Sequence, residues 1–216
     1  LSPSNAVHGA IGWILDHRPL MQLLLERLRS SEMVRTFFGA PPPTPEPNDL
    51  IIAADGPGSP TRTHWGIRTW RVPYRQGCLT SKVVLRGAPT DLAFELFRPE
   101  GPLAVLPLGG DVYQVVWSAP MQQCEQRTQL PTATFLDALA SVLPQGIEPD
   151  LLLDSPRAFP QQWMLARSLS RGRGVLIGES AHRCHPVGGQ GLSLCWRDVE
   201  TLLNLAGRDL SSRALA

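Results

Sequence analysis

The segment GVLIGESAHRCHPVGGQGLSLCWRDVETLL, residues 174–203, places a cluster of reactive and flexible residues between two apolar stretches. An apolar run typical of a strand is followed by a carboxylate, two histidines, a cysteine and four glycines, and then by a helical pattern. A glycine loop between a strand and a helix presents free backbone N–H groups and the positive end of the helix dipole. The segment therefore predicts a binding site for an anion or a polarised carbonyl.

The same loop contains His182, Cys184 and His185, whose side chains are of the types that bind zinc. The H-x-C-H spacing points neighbouring side chains in different directions, and no second pair completes a set of four ligands. We therefore predict no metal site. We expect His182 to act as a structural hydrogen-bonding residue at the entrance of the loop.

A second polar motif follows the apolar run DLIIAA, which has the pattern of a short buried parallel strand. An Asp-Gly pair alone is typical of a turn. Here Asp55 and Gly56 are followed at fixed offsets by Ser59 and Arg62, which adds a hydroxyl and a cation beside the end of the strand. The motif D-G-x-x-S-x-x-R therefore predicts a second loop that contributes to a site.

The elements that must position these loops can be placed along the chain. Residues 11–28 have the apolar spacing of an amphipathic helix, and GAPPPTPEPN favours an extended linker. Between Tyr74 and Ser118, short segments rich in Val, Leu and aromatic residues predict an antiparallel sheet. TATFLDALASVL, 132–143, predicts a helix, and the chain ends in a strand, loop and helix unit.

Composition excludes several classes of protein. The 216 residues carry 20 Lys+Arg and 19 Asp+Glu, so no strong field favours nucleic acid. With 43% hydrophobic residues the chain can bury a substantial core. The four cysteines form no C-x-x-C pair and are predicted to be free thiols in a reducing compartment. No apolar run reaches the length of about 18 residues that a membrane span needs.

Both motifs resemble those of one enzyme family, the FAD-dependent aromatic hydroxylases, or group A flavoprotein monooxygenases. IIAADGPGSPTR looks like the family's Asp-Gly motif, and GVLIGESAHRCHPVGGQGLSL resembles its Gly-Asp motif, G-D-A-A-H followed by P-x-x-G-Q-G-x-N. HRPLMQLLLERL is similar to the R-x-x-L helix of the family. YRQGCLTSKVVL, FRPEGPLAVLPL and VVWSAP resemble the ubiquinone-biosynthesis branch.

The resemblance implies a mixed α/β fold, in which a partial FAD-binding domain carries an inserted antiparallel-sheet substrate domain. We expect residues 1–70 to belong to the FAD-binding domain, residues 71–165 to form the substrate domain, and residues 166–216 to return to the FAD-binding domain. The implied activity is hydroxylation of a phenolic or prenylated aromatic ring, as in quinone biosynthesis, with FAD as cofactor and NAD(P)H and O2 as co-substrates. The protein orients the reactants while the cofactor supplies the difficult chemistry.

The resemblance also implies roles for individual residues. Arg18 would contact the phosphate or ribose region of FAD, and Asp55 with Gly56 would lie beside the cofactor and link it to NAD(P)H. Glu179 would bind a ribityl hydroxyl. The residues expected around the flavin ring and its loop are Gly178, Pro186, Gly188, Gly189, Gln190, Gly191, Leu192 and Ser193.

The sequence departs from the family pattern at three places. Glu179 and Ser193 stand where the family has Asp and Asn, and the stretch between Leu28 and Asp49 is short. The family's first strand and G-x-G-x-x-G helix, which hold the ADP half of FAD, would precede Leu1. We therefore expect these 216 residues alone to bind FAD weakly or not at all. The alternative to an enzyme is a non-catalytic flavoprotein remnant that serves as an interaction module.

The resemblance implies a small aromatic substrate and, as partners, other proteins of quinone biosynthesis. It implies no nucleic acid. The expected location is the cytoplasm or the periphery of the inner membrane, which keeps peripheral membrane contact open.

Overall fold

The computed structural model describes residues 12–41, 44–47 and 49–207. The helices are α1 (His17–Arg29), α2 (Pro60–His64), α3 (Met121–Thr128), α4 (Thr132–Ala140) and α5 (Gln190–Ala206). The strands are β1 (Ile51–Ala53), β2 (Thr69–Arg86), β3 (Phe94–Arg98), β4 (Gly101–Gly109), β5 (Val112–Pro120), β6 (Glu148–Leu152), β7 (Arg157–Ala166), β8 (Ser170–Arg171), β9 (Gly174–Leu176) and β10 (His182–Arg183). No helix in this described part of the chain is long and apolar enough to cross a membrane.

Helix α1 confirms the predicted amphipathic helix, although it begins at His17 and residue 11 lies outside the described part. Its start is set by Asp16, whose side chain accepts a hydrogen bond from the Arg18 backbone N–H. Asp16 also pairs with Lys82 of β2 at 2.6 Å. No side chain of α1 is fully buried. Among the described residues, the Asp16–Lys82 ion pair is the polar contact that connects α1 to the large sheet.

The predicted antiparallel sheet is confirmed and is larger than expected. Seven strands take part, in the order β10-β7-β2-β5-β4-β3, with β6 also pairing with β2. Strand β2 extends over 18 residues. Its register against β7 shifts between Pro73 and Gly77, because a proline cannot donate to a regular ladder. The sequence interpretation missed β7 because RAFPQQWMLA interrupts its apolar pattern with a proline and two glutamines.

The main core lies on one face of this sheet. Alternate residues of β2 and β5, such as Leu79, Val83 and Trp117, are fully buried against Phe135 and Leu139 of α4. Since successive side chains of a strand point to opposite faces, the intervening residues point away from the helices. The opposite face of the sheet is therefore free to form the wall of a site.

A second, three-stranded sheet has the order β1-β9-β8, with β1 and β9 parallel. It packs against α5 through Val175 and Leu202, with Leu50 and Ile177 beside them. Both strands were predicted from short apolar runs, and the parallel pairing of the first is confirmed. Of the expected FAD-binding segments 1–70 and 166–216, residues 1–11, 42, 43, 48 and 208–216 lie outside the described part.

Candidate functional site

The two polar motifs meet at one edge of the small sheet. Ala53 of β1 lies opposite Leu176 of β9, and the Ile177 backbone N–H donates to the Ala53 carbonyl at 3.0 Å. Because the strands are parallel, both loops leave the sheet at the carboxyl ends of their strands, which is where open α/β sheets bind ligands. The structure thus brings together segments that are more than a hundred residues apart in sequence.

Arg62 braces this junction from inside the protein. Its guanidinium donates to the Ser180 carbonyl at 2.7 Å and to the Pro57 carbonyl at 2.9 Å, and the residue is only 3% exposed. The Ser180 hydroxyl in turn lies 2.7 Å from the Ala53 carbonyl. The sequence predicted Arg62 as a cation beside the end of the strand. In the structure its guanidinium joins the two loops.

Asp55 is held in its ionised form by its own loop. Burial disfavours the charge, but hydrogen bonds from Ser59 and Thr61 outweigh it and lower the pKa of the carboxyl group below its ordinary value. The Thr61 backbone N–H donates to Asp55 at 3.0 Å. A fixed, exposed carboxylate therefore stands at the end of β1.

The loop after β9 is anchored by Asp198 of α5. One oxygen of this carboxylate accepts from the Gly178 backbone N–H and lies 2.7 Å from His182 Nε2. The predicted structural hydrogen-bonding role of His182 is thereby confirmed. Sequence reasoning missed Asp198, although it shares the inner helical stripe with Cys195 and Leu202, at offsets of three and four residues.

The glycine loop enters α5 with its backbone open to the outside. Gly188 and Gly189 have φ angles of +74° and +62°, which side-chain-bearing residues rarely adopt. The helix begins at Gln190, so Gly191 lies within its first turn rather than before it. A Cβ added at Gly191 would meet no atom within 4 Å, which leaves its backbone approachable.

A cavity of about 400 Å³ lies between this loop and the free face of the large sheet. The loop contributes Glu179, Arg183, Cys184, His185, Pro186, Gly189, Gly191 and Leu192. The sheet contributes Cys78, Thr80, Val116, Phe159 and Gln161. The sequence did not identify this sheet wall, although the alternation of Cys78 and Thr80 with buried Leu79 in β2 marks a second face.

The cavity therefore gathers five of the residues expected at the flavin: Glu179, Pro186, Gly189, Gly191 and Leu192. Gly178, Gly188, Gln190 and Ser193 belong to the same loop and helix start but do not line the cavity.

The other expected flavin residues lie elsewhere. Asp55 and Gly56 lie in the adjoining loop after β1. Arg18 lies on the exposed first turn of α1, and its side chain makes no hydrogen bond within the described part of the chain.

The Cys78 and Cys195 thiols stay protonated at neutral pH because their pKa values are raised. Burial, with a smaller effect from Cys124, raises the pKa of Cys78 to about 11, and burial also raises the pKa of Cys195. All four cysteines are free, as predicted. Among the described residues no three His, Cys, Asp or Glu side chains are grouped to hold a metal ion.

His185 lies in the cavity wall with one ring nitrogen used and the other buried. Its Nδ1 accepts from the Val187 backbone N–H at 3.1 Å, and its ring packs edge-on against Tyr74, with centroids 5.1 Å apart. Nε2 is buried and has no hydrogen-bond partner within the described part. Burial lowers the pKa of His185, and the charge of Glu95 opposes this only in part.

We predict that His185 makes the protein less stable in mild acid. Its pKa in the folded protein is below the ordinary value of 6.5, so the unfolded chain takes up the proton first as pH falls. The stability contributed by neutral His185 is full above that value and is lost as pH falls toward the folded-state pKa. Thermal melts of the protein and of His185→Gln, from about pH 7.5 to about pH 5.5, should show a smaller decline for the variant. Parallel declines would contradict the prediction.

The residues at the cavity fit a flavin. A side chain at Gly191 would fill the open space beside its backbone, and a Cβ at Gly188 or Gly189 would likewise meet no atom within 4 Å. The N-terminal turn of α5 adds the positive end of a helix dipole on the same side. Glu179 has a half-exposed side chain that lies 3.6 Å from Arg183. It supplies a hydrogen-bond acceptor at the edge of the cavity.

Comparisons with known proteins agree with this fit. Residues 48–208 match the family described as FAD binding domain. An uncharacterised protein of Synechocystis sp., slr1300, is 38% identical over 153 residues, and 3-demethoxyubiquinol 3-hydroxylase of Escherichia coli is 31% identical over 156 residues. These alignments cover 71% and 72% of this chain but only 37% and 40% of the two relatives.

A solved structure shows the same fold. The crystal structure of pqsL, a probable FAD-dependent monooxygenase from Pseudomonas aeruginosa, superposes with a TM-score of 0.61 at 23% identity. The superposition covers 77% of this chain and 49% of the pqsL chain. The family match over residues 48–208 confirms the resemblance predicted from the two motifs, and this chain belongs to the FAD binding domain family.

Proposed function

We propose that the protein containing this chain is an FAD-dependent monooxygenase that hydroxylates a phenolic or prenylated aromatic ring, using NAD(P)H and O2. The observation that carries the proposal is the cavity of about 400 Å³ between the glycine loop and the sheet. It has an open backbone wall on one side and a wall of mostly apolar and neutral side chains on the other. A planar cofactor and a planar substrate can therefore lie face to face within it.

The residues of this chain would divide the work as follows. The backbone around Gly188, Gly189 and Gly191, with the N-terminal turn of α5, would hold the flavin ring and stabilise negative charge on it. Glu179 would accept a hydrogen bond from a ribityl hydroxyl, and Arg18 and Asp55 would lie toward the phosphate and NAD(P)H sides. When bound, FAD supplies the activation of O2.

The sheet wall would orient the substrate and exclude water. Val116 and Phe159 offer apolar contact, while Thr80 and Gln161 can donate or accept hydrogen bonds to a phenolic oxygen. We propose that residues 71–165 form the substrate domain and that residues 1–70 and 166–216 belong to the FAD-binding domain. A ubiquinone precursor is the substrate class that the Escherichia coli relative supports, and other proteins of quinone biosynthesis would be the partners.

The test is an assay of the complete natural protein loaded with FAD. We expect a phenolic quinone precursor to increase the rate of NADH or NADPH oxidation, and mass spectrometry to show one labelled oxygen atom in the product when isotopically labelled O2 is used. Flavin that binds but transfers no oxygen to any phenol would reject the hydroxylase. Failure to bind FAD would favour the alternative, an interaction module without catalysis.

A further prediction concerns Glu179, where the family has the shorter Asp. Glu extends the carboxylate by one methylene, and its Oε1 lies 3.6 Å from Arg183 Nε, which draws it away from a ribityl hydroxyl. A charge-assisted hydrogen bond contributes about 1.5 to 3 kcal/mol, so we expect Glu179→Asp to tighten FAD binding by about tenfold. Flavin fluorescence titrations of the complete natural protein and its variant measure this. Equal or weaker binding by the variant would mean that the loop is adapted to Glu.

A further inference from the structure

A second concavity, of about 340 Å³, lies outside the candidate flavin site. Three arginines, Arg68, Arg167 and Arg171, line it together with the serines Ser168 and Ser170. None of these residues lines the flavin cavity. The two sites are therefore built from different parts of the chain.

The fold brings the arginines together through strand pairing. Thr69, the first residue of β2, pairs with Ala166, the last residue of β7. The Arg167 backbone N–H then donates to the Arg68 carbonyl at 2.9 Å, which holds these two residues side by side just beyond the ladder. Arg171 comes from β8, a few residues further along the same connection.

Two of the guanidinium groups are held in place before any ligand binds. Arg171 Nη1 donates to the Trp65 carbonyl at 2.6 Å, and the Arg167 guanidinium lies 5.1 Å from the centre of the Trp70 ring. Gly66 lies beside them with a φ of +65°, and a Cβ there would be 3.7 Å from Arg171 Nη1. Fixed side chains lose less conformational entropy when they bind a ligand, which favours recognition.

The described part of the chain offers no ion-pair partner to the three arginines of the concavity. Among the described residues that line it, none is acidic, and the described ion pairs include none of its three arginines. The whole chain has a net charge of only +1, so this is a local concentration of positive charge. Bringing an anion into the concavity would relieve the mutual repulsion.

We propose that this concavity binds the phosphoryl group of a ligand. Planar guanidinium groups form paired hydrogen bonds with phosphate oxygens. The Ser170 hydroxyl can add a single one, whereas the Ser168 hydroxyl already donates to the Ser170 carbonyl at 2.8 Å. A soluble nucleotide and a lipid headgroup both carry this chemistry. The proposal does not depend on the proposed function, because it uses no residue of the flavin cavity.

The experiment measures binding of three probes to the purified protein at fixed ionic strength. Calorimetry is used for inorganic phosphate and AMP, and co-sedimentation for phosphatidylcholine vesicles with and without phosphatidylglycerol. The variant is the double substitution Arg68→Gln with Arg167→Gln. The matched control is Arg86→Gln, an exposed arginine at the far end of β2 that pairs with Glu148. Thermal melts check that all forms remain folded.

We expect inorganic phosphate to bind the protein and the control alike, and the dissociation constant to rise at least about tenfold in the double variant. If the double variant loses affinity for AMP as well, the ligand is a soluble nucleotide. If it instead loses binding to the anionic vesicles, the ligand is a lipid headgroup. The dissociation constant of the double variant with Lys at both positions should lie between those of the protein and the glutamine variant. Lysine keeps the charge but lacks the planar guanidinium group. Unchanged phosphate binding in the glutamine variant, or no phosphate binding by the protein itself, would overturn the proposal.

Discussion

Gly191→Val should abolish or severely weaken FAD binding while leaving the protein folded. The backbone at this position lies in the first turn of α5 and borders the cavity, and a Cβ added there would meet no atom within 4 Å. The Cβ of the new side chain therefore clashes with no described atom of the protein. It fills the space in which we expect the flavin ring to approach the backbone.

We expect the dissociation constant for FAD to rise at least about a hundredfold, which corresponds to about 2.7 kcal/mol. Flavin fluorescence titration of the complete natural protein measures the change, and circular dichroism with a thermal melt checks the fold. Leu203→Val is the matched control, because it makes a similar β-branched change at an exposed position late in α5. A folded Gly191→Val protein that binds FAD as tightly as the parent would show that the ring lies elsewhere.

Arg62→Met should cause the largest loss of stability among single substitutions around the site. The guanidinium joins the loops after β1 and β9 by donating to the Ser180 and Pro57 carbonyls, and methionine can replace its bulk but not these donors. Leaving two inner carbonyls without partners costs roughly 1 to 3 kcal/mol each, so we expect a loss of about 3 kcal/mol. That corresponds to a fall in Tm of about 6 to 12 °C for a chain of this size.

Thermal melts of Arg62→Met, Arg62→Lys and Arg86→Met test this. Lysine keeps a charge but can reach only part of the bonding pattern, so its Tm should lie between those of the protein and of Arg62→Met. Arg86 is exposed and its ion pairs are on the surface, so its loss should cost little. Equal Tm values for Arg62→Met and Arg86→Met would contradict the role of Arg62 as a brace.

Much of the local structure follows from the sequence because its causes are local. Short apolar runs specify β1 and β9, Asp16 specifies the start of α1, and glycines specify the left-handed turn before α5. The Asp-Gly and glycine-loop motifs predicted both the family and the place of the loops. Each of these signals depends on neighbouring residues and on backbone preferences that act over a few positions.

The tertiary structure alone decided what several side chains do. The sequence places Arg62 as a cation beside the end of a strand, but its partner Ser180 is 118 positions away. In the sequence Asp198 is one polar residue of a helix. Only the fold brings its carboxylate within hydrogen-bonding distance of Gly178 and His182. Hydrogen-bond partners of this kind are fixed by how distant elements pack, which no local pattern encodes.

The same reason explains the two concavities. Cys78 and Thr80 line the cavity beside the glycine loop only because β2 turns that face toward the loop. Arg68 and Arg167 become neighbours only because β2 pairs with β7, a strand whose pattern the sequence does not reveal. The sequence by itself identified the two motif-bearing loops that meet at the edge of the small sheet. Long-range strand pairing determined what faces them, because it brings residues distant in the chain onto one surface.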